Sequence, residues 1–147
     1  MKRIAANFYK ELWKKRDVSH RERTKLLEQV KRKIDEEGKK NCDKKMTTEE
    51  IRETKKKMNK HKSPGQDGIP AEFYQHYDFL DEWLLEIFEE IIDKEEMTIS
   101  MRNAVVKLLF KKTDRKKMEH YRPLSLLCTD YNLLAQLITE RMKEALT

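Results

Sequence analysis

Apolar positions recur at helical spacing along most of the chain. Ile4, Phe8, Leu12 and Trp13 predict a first helix within residues 3–16. Ser19 precedes Glu22 by three positions, the spacing of a capping box. It predicts a second helix that carries Leu26, Leu27, Val30 and Ile34 on one face and ends near Gly38. The polar stretch 38–46 reads as a linker. Thr47 and Glu50 repeat the capping-box spacing, followed by Ile51, Thr54 and Met58 at helical intervals. Between His61 and Pro70 lie two Pro and two Gly, which predict a structured loop. The strongest helical stripe covers residues 78–93: Leu80, Trp83, Leu84, Ile87, Phe88, Ile91 and Ile92, with an acidic opposite face and Asp78 as the expected cap. Residues 104–110 are short and rich in β-branched types, which predicts a buried strand. A basic turn over 111–120 and a returning strand over 121–127 would complete a hairpin, with Pro123 restricted to an edge or bulge. A last helix is predicted over 131–146, capped by Asp130, with Tyr131, Leu134, Ala135, Ile138, Met142 and Ala145 inward. The fold class is therefore mainly α with one short β-hairpin (α+β).

Composition narrows the class. Charged residues make up 41% of the 147 positions and apolar ones 37%. A typical domain has about 25% and about 45–50%. Such a chain buries a modest core under long charged helices. No apolar run approaches the ~18–20 residues that cross a bilayer, which argues against an integral membrane protein. Met1-Lys2-Arg3 leads into no apolar stretch, so the chain reads as intracellular, cytoplasmic or nuclear, and not secreted. Cys42 and Cys128 are isolated from each other and fit a reducing compartment.

The net charge of +6 is unevenly spread. Residues 1–46 carry +8, 47–67 carry +2, 68–100 carry −9, 101–127 carry +6 and 128–147 carry −1. A polyanion would meet the two basic blocks and avoid the acidic middle. The plain alternative is that the lysine-rich helices are solvated faces. The four histidines show no metal-like grouping, and there is no P-loop or G-x-G-x-x-G. The paired acids Glu89-Glu90 and Glu95-Glu96 read as surface, Cys128 as a small core residue, and Asp67 as a turn residue bonding its own backbone. Tyr9, Trp13, Phe73, Tyr74, Tyr77 and Tyr121 could stack on bases, although helical spacing makes most of them core.

Three ordered segments resemble the reverse transcriptases of LINE-type (non-LTR) retrotransposons. The first is Lys62-Ser63-Pro64-Gly65-Gln66-Asp67-Gly68-Ile69-Pro70-Ala71-Glu72-Phe73-Tyr74, which is similar to the family's KSPGPDGIPAEFY, with Gln66 in place of Pro. The second is the strand from Ala104 to Lys112. The third is Tyr121-Arg122-Pro123-Leu124-Ser125-Leu126-Leu127 with the helix from Tyr131 to Arg141. The family's Gly and Pro before the first strand are replaced here by Met97-Thr98-Ile99-Ser100-Met101.

The resemblance implies an incomplete fingers subdomain: a basic helical extension over 1–46 and a partial fingers region over 47–147, with the palm absent. The family's metal-binding aspartates lie further along the chain, and these 147 residues contain no Asp-Asp pair. The expected function is thus a truncated fragment of an RNA-directed DNA polymerase. It would be inactive alone, with no catalytic or metal-binding residue, and Mg2+ and dNTP would belong to the complete parent. By resemblance, Lys111, Lys112 and Arg122 would contact a nucleotide triphosphate. Lys62, Arg115, Lys116 and Lys117 are candidates for contact with an RNA or DNA template. Self-association through exposed apolar faces is also expected. The alternatives are a helical protein-interaction module, built on Leu80 to Ile92, and a decayed reading frame without function.

Overall fold

The computed structural model describes residues 2–14, 19–30, 34–111 and 113–146. The chain folds as α1 (Lys2–Leu12), α2 (His20–Glu28), α3 (Glu36–Asp43), α4 (Thr48–Lys57), α5 (Ala71–His76), α6 (Leu80–Lys94), α7 (Ile99–Arg102), β1 (Ala104–Phe110), a 3-10 turn (Met118–His120), β2 (Tyr121–Leu127) and α8 (Thr129–Leu146). β1 and β2 form a two-stranded sheet, so the mainly helical class with one hairpin holds. Two compact units result: Met1–Lys33 with Leu108–Arg122, and Ile34–Lys107 with Pro123–Thr147. Among the described residues no helix is long and apolar enough to cross a membrane.

The larger unit holds the core. Ile51 of α4, Leu84, Phe88 and Ile91 of α6, Met101 of α7 and Leu133, Leu134 and Leu137 of α8 cluster with Met46 and Tyr74. Ile51, Phe88 and Leu133 are fully buried. α4 starts as its spacing predicts. Thr47 Oγ1 accepts from the Glu50 N–H at 3.3 Å, and Glu50 Oε2 accepts from the Thr47 N–H at 2.8 Å. This reciprocal box satisfies two of the donors a helix start leaves orphaned. In the smaller unit the one buried side chain among the described residues is Tyr9. Its hydroxyl donates to the Tyr121 carbonyl at 3.2 Å, and its ring lies 5.0 Å from that of Trp13.

The structure corrects several expectations. The stretch read as a linker contains α3, started by Asp35, whose carboxylate accepts from the Gly38 N–H at 2.7 Å. Gly38 therefore lies inside a helix, and α2 ends at Glu28. Residues 31–33, which the longer helix would have included, lie outside the described residues. Ser19 stands at the start of α2 without a side-chain capping bond. α6 begins at Leu80, and Asp78 does not cap it. Within α6, Trp83 and Ile92 are exposed while Asp81 is buried. α5 and α7 are too short to show a period and had no counterpart in the pattern. β1 has the expected bounds but is largely exposed, because a lone two-stranded sheet leaves both faces open. α8 begins at Thr129, and its inner face is Leu133, Leu134 and Leu137, whereas Ile138 and Met142 are exposed. A shift of one position in helical phase accounts for that exchange.

The loop before α5 takes the form its residues require. Asp67 Oδ1 accepts from the Ile69 N–H at 3.2 Å, and the Gly68 N–H donates to the Gly65 carbonyl at 3.3 Å. Gly68 adopts a φ of 73°, which favours glycine. A Cβ at Gly65 would lie 2.5 Å from the Cys128 nitrogen, so the loop approaches the β2–α8 junction more closely than a side chain permits. Thr129 Oγ1 closes the same seam by donating to the Ile69 carbonyl at 2.5 Å.

Candidate nucleic-acid interface

The hairpin tip is built on local hydrogen bonds that its sequence supplies. The Lys111 N–H donates to the His120 carbonyl at 2.8 Å and closes the strands. Beyond it, Asp114 organises the turn. Its Oδ1 accepts from the Lys116 N–H at 2.8 Å, and its carbonyl accepts from the Lys117 N–H at 3.3 Å. The His120 ring lies across this turn, with Nδ1 3.1 Å from both the Asp114 nitrogen and the Asp114 carbonyl oxygen. Thr113 takes a left-handed φ of 68°. The Tyr121 hydroxyl donates to the Arg115 carbonyl at 3.1 Å. Rings of Phe110 and Tyr121 meet at 5.4 Å, and the Arg115 guanidinium stands 5.3 Å from the Phe110 centroid. A guanidinium stacked by its face keeps its edge N–H groups free for an anion.

Cations crowd this turn. Lys111, Arg115, Lys116, Lys117 and Arg122 are exposed. None of the five forms a salt bridge among the described residues. Of the two acids present, Asp114 is used by the backbone and Glu119 lies 3.9 Å from His120. Strand alternation from the 111–120 closure puts Lys111 and Arg122 on one face of the hairpin and Phe110 and Tyr121 on the other. Lys112 lies outside the described residues. Lys62 is exposed on the loop of the larger unit, apart in sequence from the hairpin tip.

The aromatic candidates divide. Tyr9 and Tyr74 are buried, Phe73, Tyr77 and Trp13 are exposed, and Tyr121 is half-buried in the turn. Cys128 is a buried core residue donating to the Ser100 carbonyl at 3.7 Å. Its thiol lies within 4.8 Å of the Asp67 and Asp130 carboxylates. Each of the three has a protein partner, with Asp130 Oδ1 accepting from the Tyr131 N–H at 2.7 Å. Burial raises the Cys128 thiol above its ordinary value. Burial, joined by the Asp67 charge, also lifts Asp130. Burial with the same acidic neighbours pushes the Tyr74 phenol to about 12. The bond that ties the loop to α8 beside this group is the one from Thr129 to the Ile69 carbonyl. Its thiol does not suit Mg2+, a hard ion that takes oxygen ligands.

The charge pattern of the sequence did not reveal a second basic region, on α4. Lys55 is buried and ion-paired with buried Asp81 of α6, whose other oxygen is 3.3 Å from Arg52 Nε. Lys55 Nζ also reaches Asp78 Oδ1 and the Tyr77 carbonyl, each at 3.5 Å. The signal was available: Asp81, Leu84, Phe88 and Ile91 share one helical phase, as do Ile51 and Lys55.

No family model matches the chain. Over 114 residues it is 36% identical to the Transposon TX1 uncharacterized 149 kDa protein of Xenopus laevis. The match takes in 77% of this chain and 9% of that protein, so the chain spans under a tenth of its relative's length. That similarity supports a non-LTR retrotransposon origin for the chain.

Proposed function

We propose that this chain is a fingers-type segment of a LINE-type reverse transcriptase and that its hairpin tip grips phosphate. The ligand would be the triphosphate of an incoming dNTP or the backbone of an RNA or DNA template. The observation that carries the reading is the hydrogen-bonded turn built on Asp114, around which exposed Lys111, Arg115, Lys116, Lys117 and Arg122 stand without carboxylate partners among the described residues. Such cations favour a polyanion, and the Asp114 turn fixes their spacing in advance. The hairpin supplies grip and no bond-forming chemistry. Among the described residues the one grouping that approaches a metal site is Asp67, Cys128 and Asp130, and its thiol does not fit Mg2+.

The test is the salt dependence of single-stranded RNA binding by the intact chain. Replacing Lys111, Lys112, Lys116 and Lys117 by Ala should flatten the log–log salt slope by up to about 2.8, at about 0.7 for each phosphate contact. Replacing Glu86, Glu89 and Glu90 should not flatten it. An unchanged slope and affinity in the quadruple variant would sink the reading.

One observation favours a second reading, a protein-interaction module. Phe79, just before the acidic helix α6, and Trp83 within it are 64% and 63% exposed and stand edge to face at 6.5 Å. In that case Trp83→Ala would abolish a protein contact while nucleic-acid binding stayed intact.

A further inference from the structure

Among the described residues two apolar faces stand exposed in surroundings of opposite charge. The first runs along α6. Phe73, Tyr77, Phe79 and Trp83 form a ladder of rings with successive centroids 5.0, 5.7 and 6.5 Å apart. All four rings are exposed. The ladder leads into a hollow of about 190 Å³ between Phe73, Leu80, Trp83, Ile87 and Met101. Ile87 also lines the next hollow, of about 420 Å³, with Ile91, Met97 and Ile99. The two form one groove that follows α6 from Trp83 to Lys94, about 16 Å at about 1.5 Å per residue. Exposed Glu82, Glu86 and Glu90 stand four positions apart along one edge of it. Glu90 is paired with Lys94, whereas Glu82 and Glu86 form no salt bridge among the described residues.

The second face belongs to α2. None of its nine residues is buried, and Leu26, Leu27 and, just past its end, Val30 are exposed. Arg23 precedes Leu26 by three positions and Leu27 by four, so it shares their face. A helix this short is marginal in water, and most helical stability comes from packing an apolar face. α2 therefore needs a surface to lie on. At about 13 Å it fits the length of the α6 groove. The charges match too: residues 1–46 carry +8 and residues 68–100 carry −9. Opposite potentials steer two such faces together.

We propose that the α6 groove receives α2 of a second copy of this chain. Leu26, Leu27 and Val30 of one copy cover Trp83 and Ile87 of the other, and Arg23 meets the unpaired carboxylates of Glu82 and Glu86. Exchanged in both directions, the contact closes a two-fold dimer with two identical seams. The protein-interaction reading of Trp83, on which this dimer rests, thereby acquires its partner.

The test is sedimentation equilibrium of the full chain over a concentration series, which should fit a monomer–dimer equilibrium. Arg23→Glu and Glu86→Arg, both at exposed positions, should each raise the dissociation constant at least about tenfold, because each sets like charges against each other in both seams. Mixed in equal amounts, the two variants should dimerise again, since both seams then join opposite charges. The chain that carries both changes should dimerise by itself. Such recovery shows that the single variants are folded and separates paired docking from unspecific apolar clumping. Trp83→Ala should also lose the dimer, by more than about tenfold in affinity. A wild-type chain that stays monomeric throughout the series overturns the dimer, as do charge changes that fail to restore each other. If Trp83→Ala dissociates the dimer and Arg23→Glu does not, α6 is an interface whose occupant is not α2, and the proposal alone fails. A dimer indifferent to Trp83→Ala sinks the protein-interaction reading with it.

Discussion

Lys55 and Asp81 place two charges where the fold has almost no water, at 2% and 1% exposure. Taking ions out of water costs several kcal/mol each, which their attraction repays only when both are present. Removing one partner from such a pair typically costs about 3–5 kcal/mol. Here each survivor has a fallback. Without Lys55, Asp81 keeps Arg52 at 3.3 Å, and without Asp81, Lys55 keeps Asp78 and the Tyr77 carbonyl at 3.5 Å. Lys55→Met and Asp81→Leu should therefore each cost about 3 kcal/mol, near the lower end of that range. That is a large share of a typical total of about 5–15 kcal/mol. The double variant replaces the pair by apolar side chains of similar length and should return to within about 1 kcal/mol of the wild type. Urea unfolding followed by circular dichroism measures all four proteins, and the double-variant cycle isolates the coupling. The exposed pair Glu90–Lys94 serves as control, and Glu90→Gln should leave the urea midpoint in place. Additive losses in the double variant, or a Lys55→Met cost under about 1 kcal/mol, would refute the reasoning.

Three further outcomes are expected. Phe88 is fully buried at the centre of the core, and Phe88→Ala should cost about 3–5 kcal/mol in the same urea assay. Burial pushes Glu50 up, but its bonds to Arg141 and Thr47 outweigh that and hold it below its ordinary 4.5. A lowered folded value means the contribution is present above 4.5 and is lost as pH falls through the folded value. Glu50→Gln should thus narrow the difference between urea midpoints at pH 7 and pH 3. Asp130 runs the other way: burial and the Asp67 charge raise it above its ordinary 3.8, so its contribution fades as pH rises through the folded value. Asp130→Asn should then be more stable than the wild type at pH 7 and equal to it near pH 3. A lower midpoint at pH 7 would contradict that sign.

Helices with an unbroken stripe and a start signal were legible in the sequence. The Thr47–Glu50 box, the α6 stripe and the hairpin bounds all follow from residue spacing. The loop around Asp67 was also legible, because Pro, Gly and Asp each have a local conformational reason to be there. Elements stabilised by distant partners were not. α3 has a weak apolar pattern, yet Cys42 and the carbonyls that follow it bond to Arg141 of α8, nearly a hundred positions away. Local spacing carries no record of such a bond. The basic hairpin tip was visible as charge, but its order was not. Nothing in Lys-Lys-Thr-Asp-Arg-Lys-Lys specifies that Asp114 binds the backbone while Arg115 stacks on Phe110.

The largest omission has a common physical form. Lys55 follows Ile51 by four positions, Asp81 precedes Leu84 by three, and Arg141 follows Leu137 by four. Each charge therefore occupies the same phase as the apolar stripe of its helix. A reading that counts only apolar residues treats these positions as gaps in the stripe. The structure fills them with paired ions: Lys55 with Asp81, and Arg141 with Glu50 in a two-pronged bond at 2.9 Å. A charged residue in phase with a buried stripe must either end the buried face or find a partner, since leaving it alone there is too costly. When the helix continues past it, as α4, α6 and α8 all do, pairing is the consistent outcome. Lysine and acid in phase on different helices then predict that those helices touch at that level. Applied to this chain, the rule joins α4 to α6 through Lys55 and Asp81, whereas Arg141 finds its partner in Glu50, which stands beside Ile51 at the edge of the α4 stripe.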